Sequence, residues 1–196
     1  MRGFTLIELL TVIAVIGLLT AILIPTTTSA RIAAKRTKTK VQFGQWAAAM
    51  SLFRQEYGFY PAIDGGSGGK LMPEFFAGTL TGRALDGRTA ATTAHLAGNA
   101  KLIAFYAIAD GELNDARTAV TDAFGNTDIA VLYDKNGDGM ITTADGEVVA
   151  VSPVGGGISL LPTETDLNLA TGVRVGVLFY SAGNGGSAED LVMSWK

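Results

Sequence analysis

The chain has 196 residues and a formal net charge of -3; 48% of it is hydrophobic, 17% is charged, and it has no cysteine. That length holds one ordinary domain plus an appendage. The missing cysteine excludes disulfides and thiolate metal sites, and the mildly acidic balance gives no ground for a nucleic-acid partner.

The first element in chain order is an apolar run. Met1-Arg2-Gly3 precedes Phe4 to Ile24, which is interrupted by polar side chains only at Thr5, Glu8, Thr11 and Thr20. About 21 residues at 1.5 Å each make roughly 30 Å of helix, the thickness of a bilayer's hydrocarbon core. A secretory signal peptide has a shorter apolar core that ends at a small-residue cleavage site. Here the run is longer and carries Glu8 inside it. A carboxylate among lipid tails costs at least ~2.5 kcal/mol and needs a partner. No Lys or Arg lies within helical reach on the same segment, so the partner comes from another chain or from a new N-terminus nearby.

Gly3-Phe4-Thr5-Leu6-Ile7-Glu8-Leu9-Leu10 resembles the prepilin cleavage and methylation motif of type IV pilins and type II secretion pseudopilins. The resemblance implies cleavage between Gly3 and Phe4 by a prepilin peptidase/methyltransferase, and N-methylation of Phe4. It also implies pairing of Glu8 with the α-amine of Phe4 on a neighbouring subunit during assembly. Pro25 falls where pilins commonly carry a helix-breaking proline. Arg31, Lys35, Arg36, Lys38 and Lys40 follow the span. The positive-inside rule alone puts that side in the cytoplasm. The resemblance implies the reverse, and it takes precedence because a dedicated peptidase reads the motif. The basic run itself reads as a solvated helix face, or as a contact with lipid headgroups or acidic neighbours.

Helical patterning continues beyond Pro25. Phe43, Trp46, Met50, Phe53 and Tyr57 recur at intervals of three and four, the mark of an amphipathic helix with one buried stripe. A helix from Thr5 to Tyr57 is roughly 80 Å long, or less if Pro25 breaks it. Tyr57-Gly58-Phe59-Tyr60-Pro61 ends it, in a form similar to that of major pseudopilins, and Asp64 to Gly69 reads as a loop. Leu71–Arg88 carries no clear pattern. A second helix is expected near Thr93–Ala109, with Leu96, Ala100 and Ile103 on one face. Ile129–Tyr133, Glu147–Val151, Val173–Tyr180 and Leu191–Trp195 read as strands. No internal repeat stands out. The predicted class is α+β: a long N-terminal helix, transmembrane in its first half (4–25) and amphipathic in its second (26–57), packed on a small antiparallel sheet within a head spanning 58–196.

Two segments have the composition of calcium loops. Asp134 to Asp145 spaces oxygen donors as a twelve-residue loop does: Asp134, Asn136, Asp138, Thr142 and Asp145, with the Met140 carbonyl as a further donor and Gly139 at the sharp turn. The pattern resembles EF-hand and dockerin loops, and ends like the latter on Asp. A strand enters it, so the loop alone is predicted, without the helical pair. The alternative is a metal-free Asp/Asn/Gly turn. The second segment, Tyr180 to Trp195, resembles the C-terminal loop of major pseudopilins, and that likeness implies Ser187, Glu189 and Asp190 as calcium donors. Asn184 stands there where Asp is common. Asp122-Ala123-Phe124-Gly125-Asn126 reads as a structural turn.

Catalysis finds little support. His95 is the sole histidine, no nucleophile elbow accompanies it, and Gly183-Asn184-Gly185-Gly186 lacks the Lys-Ser/Thr of a phosphate loop. The expected function is structural, not enzymatic: a subunit of the periplasmic pseudopilus of type II secretion. It would be anchored by a single pass in the inner membrane, with its head in the periplasm. Its partners are then copies of itself, other pseudopilins, the inner-membrane assembly platform and membrane lipid. The competing readings are a surface pilin for adhesion, motility or DNA uptake, and a calcium-dependent membrane-anchored module that never polymerises.

Overall fold

The computed structural model describes residues 4–66 and 69–196. Helix α1 runs Leu6–Tyr57 without interruption. It starts where Thr5, in extended backbone, accepts the Glu8 amide on its hydroxyl while the Glu8 side chain reaches back to the Thr5 amide, a reciprocal capping box. It stops at Gly58, whose φ of 85° is left-handed and whose N–H returns to the Arg54 carbonyl. The helix therefore continues through position 25. Thr26, Thr27 and Thr28 direct their hydroxyls to carbonyls one turn back (2.8 Å to Leu23, 2.9 Å and 3.2 Å to Ile24), so the polar groups beyond the apolar run are satisfied within the helix.

Strands β1 (Ile129–Tyr133), β2 (Val177–Ser181) and β3 (Val192–Met193) form an antiparallel sheet in that order, with Ile129 opposite Ser181 and Tyr180 opposite Met193. Every residue of the three strands is buried, because both faces of the sheet are covered. Alternation sends Ile129, Val131, Tyr133, Val177 and Phe179 towards α1, where they meet Phe43, Trp46 and Met50. Ala130, Leu132, Leu178 and Tyr180 face the other way, into a layer of irregular chain that contributes Ile141, Val151, Leu160, Leu167 and Leu169. The order is helix, sheet, loop layer. Trp46 sits at the centre, its ring 4.8 Å from Phe76 and 5.6 Å from Phe179.

Three expectations are corrected, and one stretch that carried no pattern takes a definite form. Within Leu71–Arg88 a short helix, α2 (Pro73–Thr81), packs against α1. Thr93–Ala109 is not helical. Ala97, Gly98 and Leu102 take left-handed backbone, and the buried Asn99 fixes the segment as a loop by donating to the Thr79 and Ile103 carbonyls, each at 2.8 Å. Glu147–Val151 forms no strand beyond a single bridge from Val151 to Leu160. The Tyr180 hydroxyl occupies the position a neighbouring strand would take, accepting the Val149 amide and donating to the Val149 carbonyl. Val173 and Val175 pack on the core beneath the loop layer, but among the described residues their segment pairs by backbone only in a bridge to Ile141, and β2 begins at Val177.

Candidate functional site

Among the described residues, nothing from its own chain packs on the N-terminal half of α1. From Leu6 to Ile24 its large apolar side chains are 49–81% exposed, and the most apolar stretch of the helix has no buried residue. A contiguous apolar surface of this size marks a membrane or protein contact, and its length matches a bilayer. Glu8 is the acid within it. One of its carboxylate oxygens, Oε2, accepts from the Thr5 amide at 2.8 Å and the Thr5 hydroxyl at 2.6 Å; Oε1 accepts from no described residue. The capping box thus holds the carboxylate beside Phe4, with one oxygen available for a cation. Phe4 is exposed; Gly3, the expected cleavage residue, lies outside the described residues.

The Asp134–Asp145 loop begins directly at the end of β1, as expected from its sequence. Asp134 is buried and its carboxylate gathers the loop, accepting the amides of Gly137 (2.6 Å), Asp138 (3.2 Å) and Gly139 (2.9 Å). Asp145 is buried too, and closes the loop by accepting from Lys135 and Thr142, both at 2.8 Å. Burial pushes the Asp145 carboxyl up, but the amides of Thr142, Lys135 and Asn136 and the Thr142 hydroxyl outweigh it and hold the group below the usual range. Asn136 and Asp138 are exposed and bonded to one another at 2.9 Å. Arg54 of α1 lies 3.5 Å from Asp134 and stacks over Tyr60, which ties the loop to the helix. Among the described residues no three acidic or histidine side chains converge as a metal cage. What the loop offers is an all-oxygen donor set, the chemistry that suits a hard cation. Of its three carboxylates, that of Asp134 faces the Arg54 guanidinium.

At the C-terminus the structure brings two of the predicted donors, Ser187 and Asp190, together and leaves the third, Glu189, exposed. Asp190 pairs with Arg36 of α1 and accepts the amides of Gly186 and Ser187 at 2.9 Å and 3.2 Å. Glu189 is exposed and lines an open groove of about 460 Å³ between α1 and the chain end, bordered by Arg36, Lys40, Asp166 and Lys196. The segment's order comes from elsewhere. In the turn Asp122–Asn126 the Asp122 carboxylate accepts from Phe124, Asn126 and the Ser181 hydroxyl, while Asn126 donates to the Gly183 carbonyl at 2.8 Å and accepts the Val154 amide at 2.7 Å. The expected structural turn is therefore present, and Asn126 makes it the organiser of the C-terminal segment, a reach that the local pattern did not show. The turn's own signal was an Asx-type pattern just before a strand. His95 lies on a turn against Phe75, 3.5 Å from Glu74.

Residues 1–24 match the family model described as the prokaryotic N-terminal methylation motif. The match makes this N-terminus type IV pilin-like, which implies processing by prepilin peptidase and pilin-like assembly. No match was found among curated proteins or among solved structures.

Proposed function

We propose that this chain is a structural subunit of a periplasmic pseudopilus in type II protein secretion, cleaved after Gly3, N-methylated at Phe4 and polymerised through the first half of α1. One observation carries the reading: an exposed apolar span that begins on the methylation motif and holds a carboxylate poised beside Phe4. Before assembly the bilayer covers that span. In a filament neighbouring copies cover it, and the free oxygen of Glu8 receives the α-amine of the next subunit's Phe4, so the charge leaves lipid with its partner. The absence of cysteine favours the pseudopilus over a surface pilin, many of which close a C-terminal loop with a disulfide. Mass analysis of the chain from a host carrying a prepilin peptidase should show a mature N-terminus at methylated Phe4. An N-terminus left at Met1, or a cut elsewhere, would overturn the reading.

The proposal includes calcium at the Asp134–Asp145 loop, with Asp134, Asn136, Asp138, Thr142, Asp145 and the Met140 carbonyl as donors. When bound, the ion supplies positive charge to a loop that buries two carboxylates. The same reading extends to Ser187, Glu189 and Asp190, where an ion competes with Arg36 for Asp190. Chelation with EDTA is expected to lower the melting temperature of the fragment after Ser29, and Asp134→Ala to remove most of that effect. An unchanged melting curve on chelation counts against both loops.

A further inference from the structure

The five cations after the span divide into two groups. Arg36 pairs with Asp190, and Lys40 donates to the Lys196 carbonyl at 2.7 Å, so both hold the head onto α1. Arg31, Lys35 and Lys38 are exposed. Their spacing of four and three puts them on one helical face, and Arg36 and Lys40 lie about 140° and 180° round the helix from Arg31. Among the described residues neither Arg31 nor Lys38 has an ion-pair partner; Lys35 rests over the Phe124 ring at 5.5 Å. Arg31 and Lys38 are thus left over after the head has been seated, with Lys35 between them resting on the head's Phe124 ring.

The height of this basic stripe above the bilayer follows from the helix. With residues 4–25 across the hydrocarbon, the self-bonded threonines at 26–28 lie at its outer edge. The Cα atoms of Arg31, Lys35 and Lys38 then stand about 9, 15 and 20 Å beyond that edge. Side chains on a helix lean towards its N-terminus, here back towards the membrane. Arg31 reaches back into the headgroup layer, Lys35 is within about a Debye length of its phosphates, and Lys38 stands at the outer limit of their field.

We propose that Arg31, Lys35 and Lys38 form a binding surface for anionic phospholipid headgroups on the side of the membrane that carries the head. It rests on the membrane-spanning reading above and adds to it a named lipid contact. The contact holds the subunit at a fixed depth before assembly and must be surrendered when the subunit leaves the bilayer. The occupant is a phospholipid phosphate, because Arg31 reaches back into the headgroup layer.

The test uses the full chain in nanodiscs made from equal parts of phosphatidylcholine and phosphatidylglycerol, with the lipids that stay on the protein counted by native mass spectrometry. Wild type should retain phosphatidylglycerol over phosphatidylcholine about five-fold at low salt, the factor expected from roughly one surface cation's worth of attraction. The preference should fall as salt is raised. R31Q/K35Q/K38Q should bring it to parity, whereas R31K/K35R/K38R and the distant K101Q should keep it. Parity for wild type, or an undiminished preference in the triple glutamine variant, would overturn the proposal. If that variant keeps its lipids but loses cross-linked oligomers, the stripe serves the acidic surface of a second copy, and the lipid assignment is wrong. A chain that will not enter nanodiscs at all refutes the spanning reading first, and this contact with it.

Discussion

Residues 6–24 and 39–57 belong to one continuous helix, yet the first stretch shows its large apolar side chains to solvent while the second buries Phe43, Trp46, Met50 and Phe53 completely. The second half is amphipathic, so a single sheet from its own chain satisfies it. The first half is apolar all round, and a helix of that kind needs apolar surroundings on every side. A small head cannot provide them. The bilayer can, and so can a ring of copies. One helix is therefore divided between intramolecular and intermolecular packing, and the division falls just after the threonine cluster at 26–28 and the basic run.

Substitutions on the two sides should separate cleanly. Trp46→Ala is expected to cost the head about 3–5 kcal/mol, since it empties the centre of the core. Thermal melting of the fragment after Ser29 measures this, and insertion of the full chain into membranes should be unaffected. Asn126→Ala should cost less, about 1–3 kcal/mol, by leaving the Val154 amide and the Gly183 carbonyl without their side-chain partner; the loss should show as early proteolysis of the C-terminal loop. Leu18→Ala, in the exposed half, should leave the melting of the head within about 0.5 kcal/mol of wild type. A large effect there would mean that the span packs on its own head.

Much of this division was legible in the sequence, because it depends on composition and period over long windows. The aromatic stripe and the strand Ile129–Tyr133 both fell where patterning put them. The head's irregular parts were not legible, for local reasons. Helix α2 carries Pro73 at its start and Gly82 just past its end, the usual boundary signals, but at nine residues it is too short for periodicity to speak. Thr93–Ala109 had helical spacing, yet one buried amide, Asn99, outbid it through tertiary hydrogen bonds. The hairpins closed by Arg83–Ala90 and Leu113–Val120 are alike in shape, each with a 3.0 Å amide-to-carbonyl bond across it. The sequence echo, Asp-x-Arg-Thr-Ala at 86–90 and 115–119, is displaced from them by one residue. For the loop at 134–145 the spacing foretold the wrapped backbone, while the tether from Arg54, eighty residues earlier, has no local trace.

The central claim is that the first half of α1 finds its partners in other copies of the chain through Glu8. Its most direct measurement compares wild type with Glu8→Leu, both processed and membrane-inserted, by electron microscopy and cross-linking of sheared filaments. The account predicts filaments from wild type, and a Glu8→Leu chain that is cleaved, inserted and folded in its head but largely unpolymerised. Filaments of normal yield and register from Glu8→Leu, or a processed wild type that stays monomeric in the membrane beside a working assembly platform, would contradict it.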